Sequence, residues 1–328
     1  MPGPRPKAIL ADAAAAKAAV RLNPLRGIGL KVLSVAVFTL MAVCIKSAAP
    51  RVPPGEAVFF RSFFAIPVIV SWLVWTHNLR HGLDTTNPMG HFWRGLVGTA
   101  AMGLGFTALG LLPLPEVTAL AYAAPLLTVI FAAMFLGEAV RIFRMSAVLV
   151  GLIGVMIVLS PRLTLLTGEN VSTLEAVGAM AALLGAVFAA LAQVFVRKLV
   201  HSEQTPAIVF YFSLTGAMLS LATLPFGWVV PTRPEAALLV GAGLLGGVGQ
   251  ILLTESYRHA ETSVIAPFEY VSMILALVLG YLVFDELPTH TMLAGAALIV
   301  SAGLFIIWRE QKLGLERAKA RGAATPQG

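Results

Sequence analysis

Apolar runs of about 20 residues, long enough to cross the roughly 30 Å hydrocarbon core of a bilayer, recur along this chain between short polar stretches carrying charge, proline or tryptophan. Ten such runs predict ten transmembrane helices, approximately Gly27 to Ala49, Gly55 to Trp75, His91 to Leu112, Glu116 to Leu136, Ile142 to Ser160, Leu174 to Val196, Pro206 to Phe226, Glu235 to Ser256, Thr262 to Phe284 and Thr289 to Trp308. Pro113 and Pro115 mark a very tight connection between the third and the fourth. The ninth run is unusual, because Glu269 and Tyr270 stand about a third of the way into it. A carboxylate at the centre of a spanning helix costs roughly 2.5 to 3.5 kcal/mol on insertion scales and calls for a partner or a water-filled cavity.

Composition agrees with the pattern: 58% of the 328 residues are hydrophobic and only 12% are charged, about half the charged fraction of a soluble domain. The chain reads as an all-α integral membrane protein. A net charge of +7 would suit a nucleic-acid partner, but the placement of the basic residues argues otherwise. Taking both ends as cytoplasmic, five Lys and Arg fall in the N-terminal tail, five in the C-terminal tail and seven in the loops around Arg80, Arg94, Arg141, Arg144, Arg197, Lys198 and Arg258. The opposite loops hold only Arg51, Arg162 and Arg233, while Lys31, Lys46 and Arg61 fall within spans. This is the positive-inside asymmetry, and the five tryptophans all land at helix ends, where the indole prefers to lie. The expected location is a bacterial-type inner membrane, with many passes, both termini cytoplasmic and no nucleic acid bound. Asp12, Lys17 and Arg21 interrupt the alanine-rich N-terminal stretch and leave no apolar core for a signal peptide. The single cysteine, Cys44, lies in an apolar run and excludes an intrachain disulfide.

The chain also repeats itself. An offset of 148 lays Gly95 on Gly243, Gly98 on Gly246, Leu109 on Tyr257, Tyr122 on Tyr270 and Glu138 on Glu286, and an offset of 151 lays Gly27 on Gly178 and Lys46 on Arg197. Each unit then holds five helices, so the second enters the membrane from the opposite side: two inverted-topology five-helix repeats, as in many secondary transporters. The expected organisation is a cytosolic tail over residues 1–26, a first repeat over 27–160, a periplasmic linker over 161–173, a second repeat over 174–308 and a basic cytosolic tail over 309–328. Both third helices are rich in glycine, which either lets backbones pack closely or allows them to slide.

The motifs LGEAV at Leu136 to Val140, FDELP at Phe284 to Pro288, ALAYAAP at Ala119 to Pro125 and APFEY at Ala266 to Tyr270 are weak singly, but their order, spacing and duplication are distinctive. In these the chain resembles the drug/metabolite transporter superfamily in its ten-helix EamA-type form, from Arg26 to about Glu310. The resemblance implies two five-helix halves around a central cavity and carriage of small metabolites, commonly outward. Met273 stands where the first half has Pro125, so the two halves need not bend alike.

Polar groups within spans are the candidate site. Counting 1.5 Å per residue puts Glu269 roughly 10 Å from the cytoplasmic side and Arg61 roughly 9 Å from the outer side, a depth difference of roughly 11 Å. They could pair, or face each other across a cavity fitting a small zwitterion, with carboxylate at Arg61 and amine at Glu269. Arg61 could also snorkel outward, as Lys46 is expected to do. Tyr122, Tyr270 and Tyr211 offer aromatic faces with a hydrogen-bonding tip, and Gln193 and Gln250 either tie helices or read a ligand. The candidate substrate-binding set is Glu269, Tyr270, Arg61, Tyr122, Tyr211, Gln250, Gln193 and Lys46. Glu138 and Glu286 look like matched structural turns. Glu269 is also a candidate carrier of a coupling proton, with uniport and exchange equally open.

No GxSxG elbow, HExxH or Walker loop is present, so neither hydrolase, zinc protease nor direct ATP coupling is indicated. His77, His81, Asp84 and His91 share one loop but match no compact metal site, and no cofactor is expected. The reading is a secondary transporter working by alternating access on amino acids, with aromatic ones a plausible subset and export favoured. Other metabolites or drugs are the first alternative, and a membrane enzyme acting on a lipid-linked substrate is the second.

Overall fold

A computed structural model describes residues 24–79, 81–136, 142–164, 173–200, 202–260 and 265–323. Glu138 with most of its motif, Arg80, Arg141, most of the expected linker and the first 23 residues lie outside the described residues. The regular elements among the described residues are all helical, as lipid demands of any segment that must satisfy its own backbone polar groups. They are α1 (Pro24–Ala48), α2 (Pro54–Phe63), α3 (Ala65–Trp75), α4 (Pro88–Leu111), α5 (Leu114–Ala121), α6 (Ala123–Leu136), α7 (Ile142–Thr164), α8 (Thr173–Leu199), α9 (Thr205–Leu221), α10 (Arg233–His259), a 3-10 turn (Ala266–Tyr270), α11 (Val271–Phe284) and α12 (His290–Ala323). Taking α2 with α3 as one, six of the helices are long and apolar enough to cross a bilayer by themselves, and Met145–Ser160, Thr205–Leu221 and Phe268–Phe284 are shorter apolar stretches. With the broken α5–α6 rod they account for the ten spans.

Three spans depart from a continuous α-helix, and proline explains the first two. Phe64 separates α2 from α3 three residues before Pro67, and Tyr122 separates α5 from α6 three residues before Pro125. In both cases the proline has no N–H to give the preceding turn, and its ring crowds that turn. The ninth span opens instead as the 3-10 turn holding Pro267, and hands over to α11 at Tyr270. Although Met273 replaces the second proline, the two repeat-matched tyrosines have nearly the same backbone: φ −68°, ψ −6° at Tyr122 and φ −68°, ψ −11° at Tyr270. The halves therefore break at matching points, by different local means.

Packing follows the repeat. α1 lies along α10 and α4 along α8, so the first helix of each half embraces the third helix of the other. Gly27 on α1 approaches Ala260 at the end of α10, and its repeat mate Gly178 on α8 approaches Leu111 and Leu112 at the end of α4. The matched α5 and α11 touch across the middle, and α7 packs on α12 where Gly154 and Gly295 each approach the other's carbonyl. The last helix runs to Ala323, beyond the expected span end at Trp308.

Candidate functional site

Between the two halves lies a cavity of about 470 Å³, lined from α1, α2, α4, α5, α6, α8, α9, α10 and the ninth span. That volume is in the range of small-molecule sites. On α1 the lining residues Lys31, Ser34, Phe38 and Met41 recur every three or four positions, one face of a helix. At one end the lining is open: Glu269 retains 34% of its side-chain exposure and Arg197 is half-buried. At the other end Leu109 and Leu114 are buried, at 6% and 1%.

Five of the eight candidate residues line this space: Glu269, Arg61, Tyr122, Gln193 and Gln250. Glu269 does not meet Arg61. Its Oε2 lies 3.1 Å from Nζ of Lys31, a lysine only 2% exposed whose ammonium also sits 5.9 Å from the centre of the Tyr257 ring. The Glu269 carbonyl accepts from Ser272 Oγ at 2.6 Å and lies 3.4 Å from the Tyr122 hydroxyl. Tyr122 and Ser272 share a further hydrogen bond at 2.7 Å. The break in the ninth span is thus held by side chains from both halves.

Arg61, 3% exposed, donates to the Gly246 carbonyl at a long 3.4 Å, and its guanidinium carbon lies 5.1 Å from the centre of the Phe212 ring. Arg94, counted from the sequence as a loop charge, instead lies inside α4 at 6% exposure, 4.0 Å from the same ring and on the cavity wall. It was missed because the third span was drawn from His91, which puts Arg94 near its end. Lys31 was missed as a candidate because its partner is 238 residues away.

Three candidates are not among the lining residues. Tyr270 packs edge-on against Tyr122 at 5.0 Å and puts its hydroxyl in the space a Cβ at Gly303 would need. Tyr211 donates to the Leu83 carbonyl at 3.1 Å and packs at a tilt against His91, which fastens the α3–α4 loop. Lys46 does not snorkel. It pairs with Glu286 at 2.9 Å and donates to the carbonyls of Leu109 at 3.2 Å and Leu112 at 2.6 Å, while Glu286 accepts from the Leu114 amide at 2.7 Å. Cation and carboxylate thereby cap the end of α4 and the start of α5 in the sense the helix dipoles favour. Arg51 with Glu235, at 3.4 Å, and Glu56 with the Val229 amide, at 3.0 Å, add ties at the same end.

At the opposite end the buried Glu203, between α8 and α9, accepts from Thr86 N, Thr86 Oγ1 and Asn87 N, each at 2.9 Å, and faces His91 at 3.5 Å. Burial pushes this carboxyl up, but those hydrogen bonds outweigh it and hold it below the usual carboxylate range. Of the histidine loop, His81 pairs with Asp84 at 3.0 Å, and no group of three metal-ligating side chains occurs among the described residues.

The EamA-like transporter family model matches residues 25–160 and 176–308. An S-adenosylmethionine uptake transporter of Rickettsia bellii is 29% identical over 286 residues, 87% of this chain and 94% of that protein. The pseudopaline exporter CntI of Pseudomonas aeruginosa is 32% identical over 280 residues, 84% of this chain and 94% of that protein. A crystal structure at 22% identity superposes with a TM-score of 0.64, covering 86% of this chain and 97% of that one, a likeness of fold.

Proposed function

The chain belongs to the EamA-like transporter family, a multi-pass membrane carrier of small molecules, and from that premise we propose that its substrates are amino acids or close derivatives. The observation that carries this reading is the cavity wall, which sets a carboxylate, Glu269, and cationic side chains around one metabolite-sized space. An amino-acid head group offers both complementary charges. The related S-adenosylmethionine transporter names a substrate with such a head group, attached to a nucleoside. Alternating access is the mechanism: the open end admits the solute, the halves rock about the cavity, and the Lys46–Glu286 end parts to release it. Export is the direction we favour, the one that the related CntI is named for, and the open end is the one that the basic-residue asymmetry assigns to the cytoplasm, with both termini on that side.

The experiment is solute flux into proteoliposomes of purified protein, across a panel of amino acids, S-adenosylmethionine, nucleotide-like metabolites and vitamins, with and without a pH gradient. Movement of amino-acid-like solutes supports the proposal. Movement of only nucleotide-like or vitamin solutes replaces the substrate class, and turnover of a lipid-linked compound without vesicle flux favours the enzyme alternative. Full pH-coupled flux in Glu269→Gln would remove that residue from proton coupling.

A further inference from the structure

The charges on the cavity wall do not balance. Lys31, Arg61, Arg94 and Arg197 line it against a single acid among the described residues, Glu269, which Lys31 approaches at 3.1 Å. What remains unmatched is cationic, and two of its members are deeply buried: Arg61 at 3% and Arg94 at 6% exposure. In each, Nε and one terminal nitrogen (NH1) are buried with no hydrogen-bond partner among the described residues. No carboxylate pairs with either among the described residues. Three buried hydroxyls are equally without partners, Ser62, Thr99 and Ser213, and they are the chain neighbours of Arg61, Gly98 and Phe212.

Deliberate room has been left for these side chains. A Cβ at Gly98 would collide with Arg94 NH1, and one at Gly246 would come within 2.8 Å of Arg61 Nε. Gly98 and Gly246 are repeat mates, so each half contributes one glycine seat for one guanidinium. Both cations then rest within 5.1 Å of the centre of one ring, Phe212. Contact with a single aromatic ring does not replace a counter-charge for two buried guanidiniums, whereas a carboxylate matches the planar guanidinium fork with two parallel hydrogen bonds. A zwitterion with one carboxylate leaves one arginine unmet, and a cation adds to the imbalance.

We infer that the cavity selects small organic anions carrying two carboxylates beside an amine, with Arg61 and Arg94 around Phe212 as the dicarboxylate subsite. The inference rests on the transporter reading for the cavity's use and narrows its substrate class. Two separate carboxylates suit the site because the guanidiniums come from different helices, α2 and α4, and rest on different glycines. Phe212 turns aside, or the arginines change rotamer, as the anion enters.

The test is binding to the purified full chain, followed by tryptophan fluorescence and thermal shift, for glutamate, 2-aminoadipate, glutamine, lysine, phosphoserine and S-adenosylmethionine. Proteoliposome flux is measured with the same compounds. Expected is at least a tenfold preference for an aminodicarboxylate over its amide, reduced to within twofold in Arg94→Gln and partly kept in Arg94→Lys. The wild-type preference needs no variant, so a misfolded mutant does not blunt the test. Equal or better binding of the amide, lysine, S-adenosylmethionine or phosphoserine overturns the inference, as does an unchanged preference in a folded Arg94→Gln. Flux of neutral amino acids with no dicarboxylate preference leaves the transporter proposal standing and sinks the subsite. Selective dicarboxylate binding with no flux of any solute does the reverse.

Discussion

Lys31 is almost wholly out of water, and among the described residues its one anionic partner is Glu269. Removing a single partner strands a buried charge, which for fully buried pairs costs about 3–5 kcal/mol, and the one-third exposure of Glu269 brings the expected loss in Glu269→Gln down to about 2 kcal/mol. Thermal denaturation in detergent should show that loss, and pairing Glu269→Gln with Lys31→Met should recover most of the stability without restoring flux. Glu203 gives a second expectation. Its folded-state value is depressed, so its contribution is complete above the ordinary glutamate pKa of about 4.3 and is lost as pH falls through the folded value. Melting temperature followed downward from neutral pH should therefore drop in acid, and Glu203→Gln should flatten that drop. The sequence made Glu269 legible because a carboxylate stands out in an apolar run. It hid Arg94, since a cation near a helix start looks like a loop charge, and the role of Lys31, whose partner comes from a distant segment.

Helix existence was legible from the length of the apolar runs, and the repeat was legible from glycine and tyrosine spacing. The breaks were not: at Phe64 only Pro67, three residues on, hints at the interruption. The glycines of α4 and α10 divide in a way spacing alone does not reveal. Gly95 meets Thr215, Gly243 meets Phe64 and Gly247 meets Ala65 and Val68, all close packing, whereas Gly98 and Gly246 seat arginines and Gly103 and Gly241 face open space. Substitution should separate these classes. Gly103→Ala should stabilise by about 0.8 kcal/mol, the ordinary helix-propensity gain, while Gly98→Ala should destabilise and weaken substrate binding, both readable from unfolding midpoints and the binding assay above.

Across the whole molecule, the cavity has its exposed residues at one end, and a set of ionic and hydrogen-bonded ties closes the other. Lys46, Glu286, Arg51, Glu235 and Glu56 join α1, α2, α4, α5, α10 and the segments after α9 and α11 at the sealed end. Breaking that seal should be visible with a membrane-impermeant thiol reagent. With Cys44 replaced by serine and Thr118 on the cavity wall by cysteine, labelling from outside intact cells should rise severalfold when Glu286→Gln is added. Little change would locate the barrier elsewhere. The Lys46–Glu286 seal also bears on timing. A carrier whose empty form rests with one mouth stapled shut reopens it slowly, so the unloaded return becomes the bottleneck of the cycle, and exchange of labelled for unlabelled solute outruns net flow.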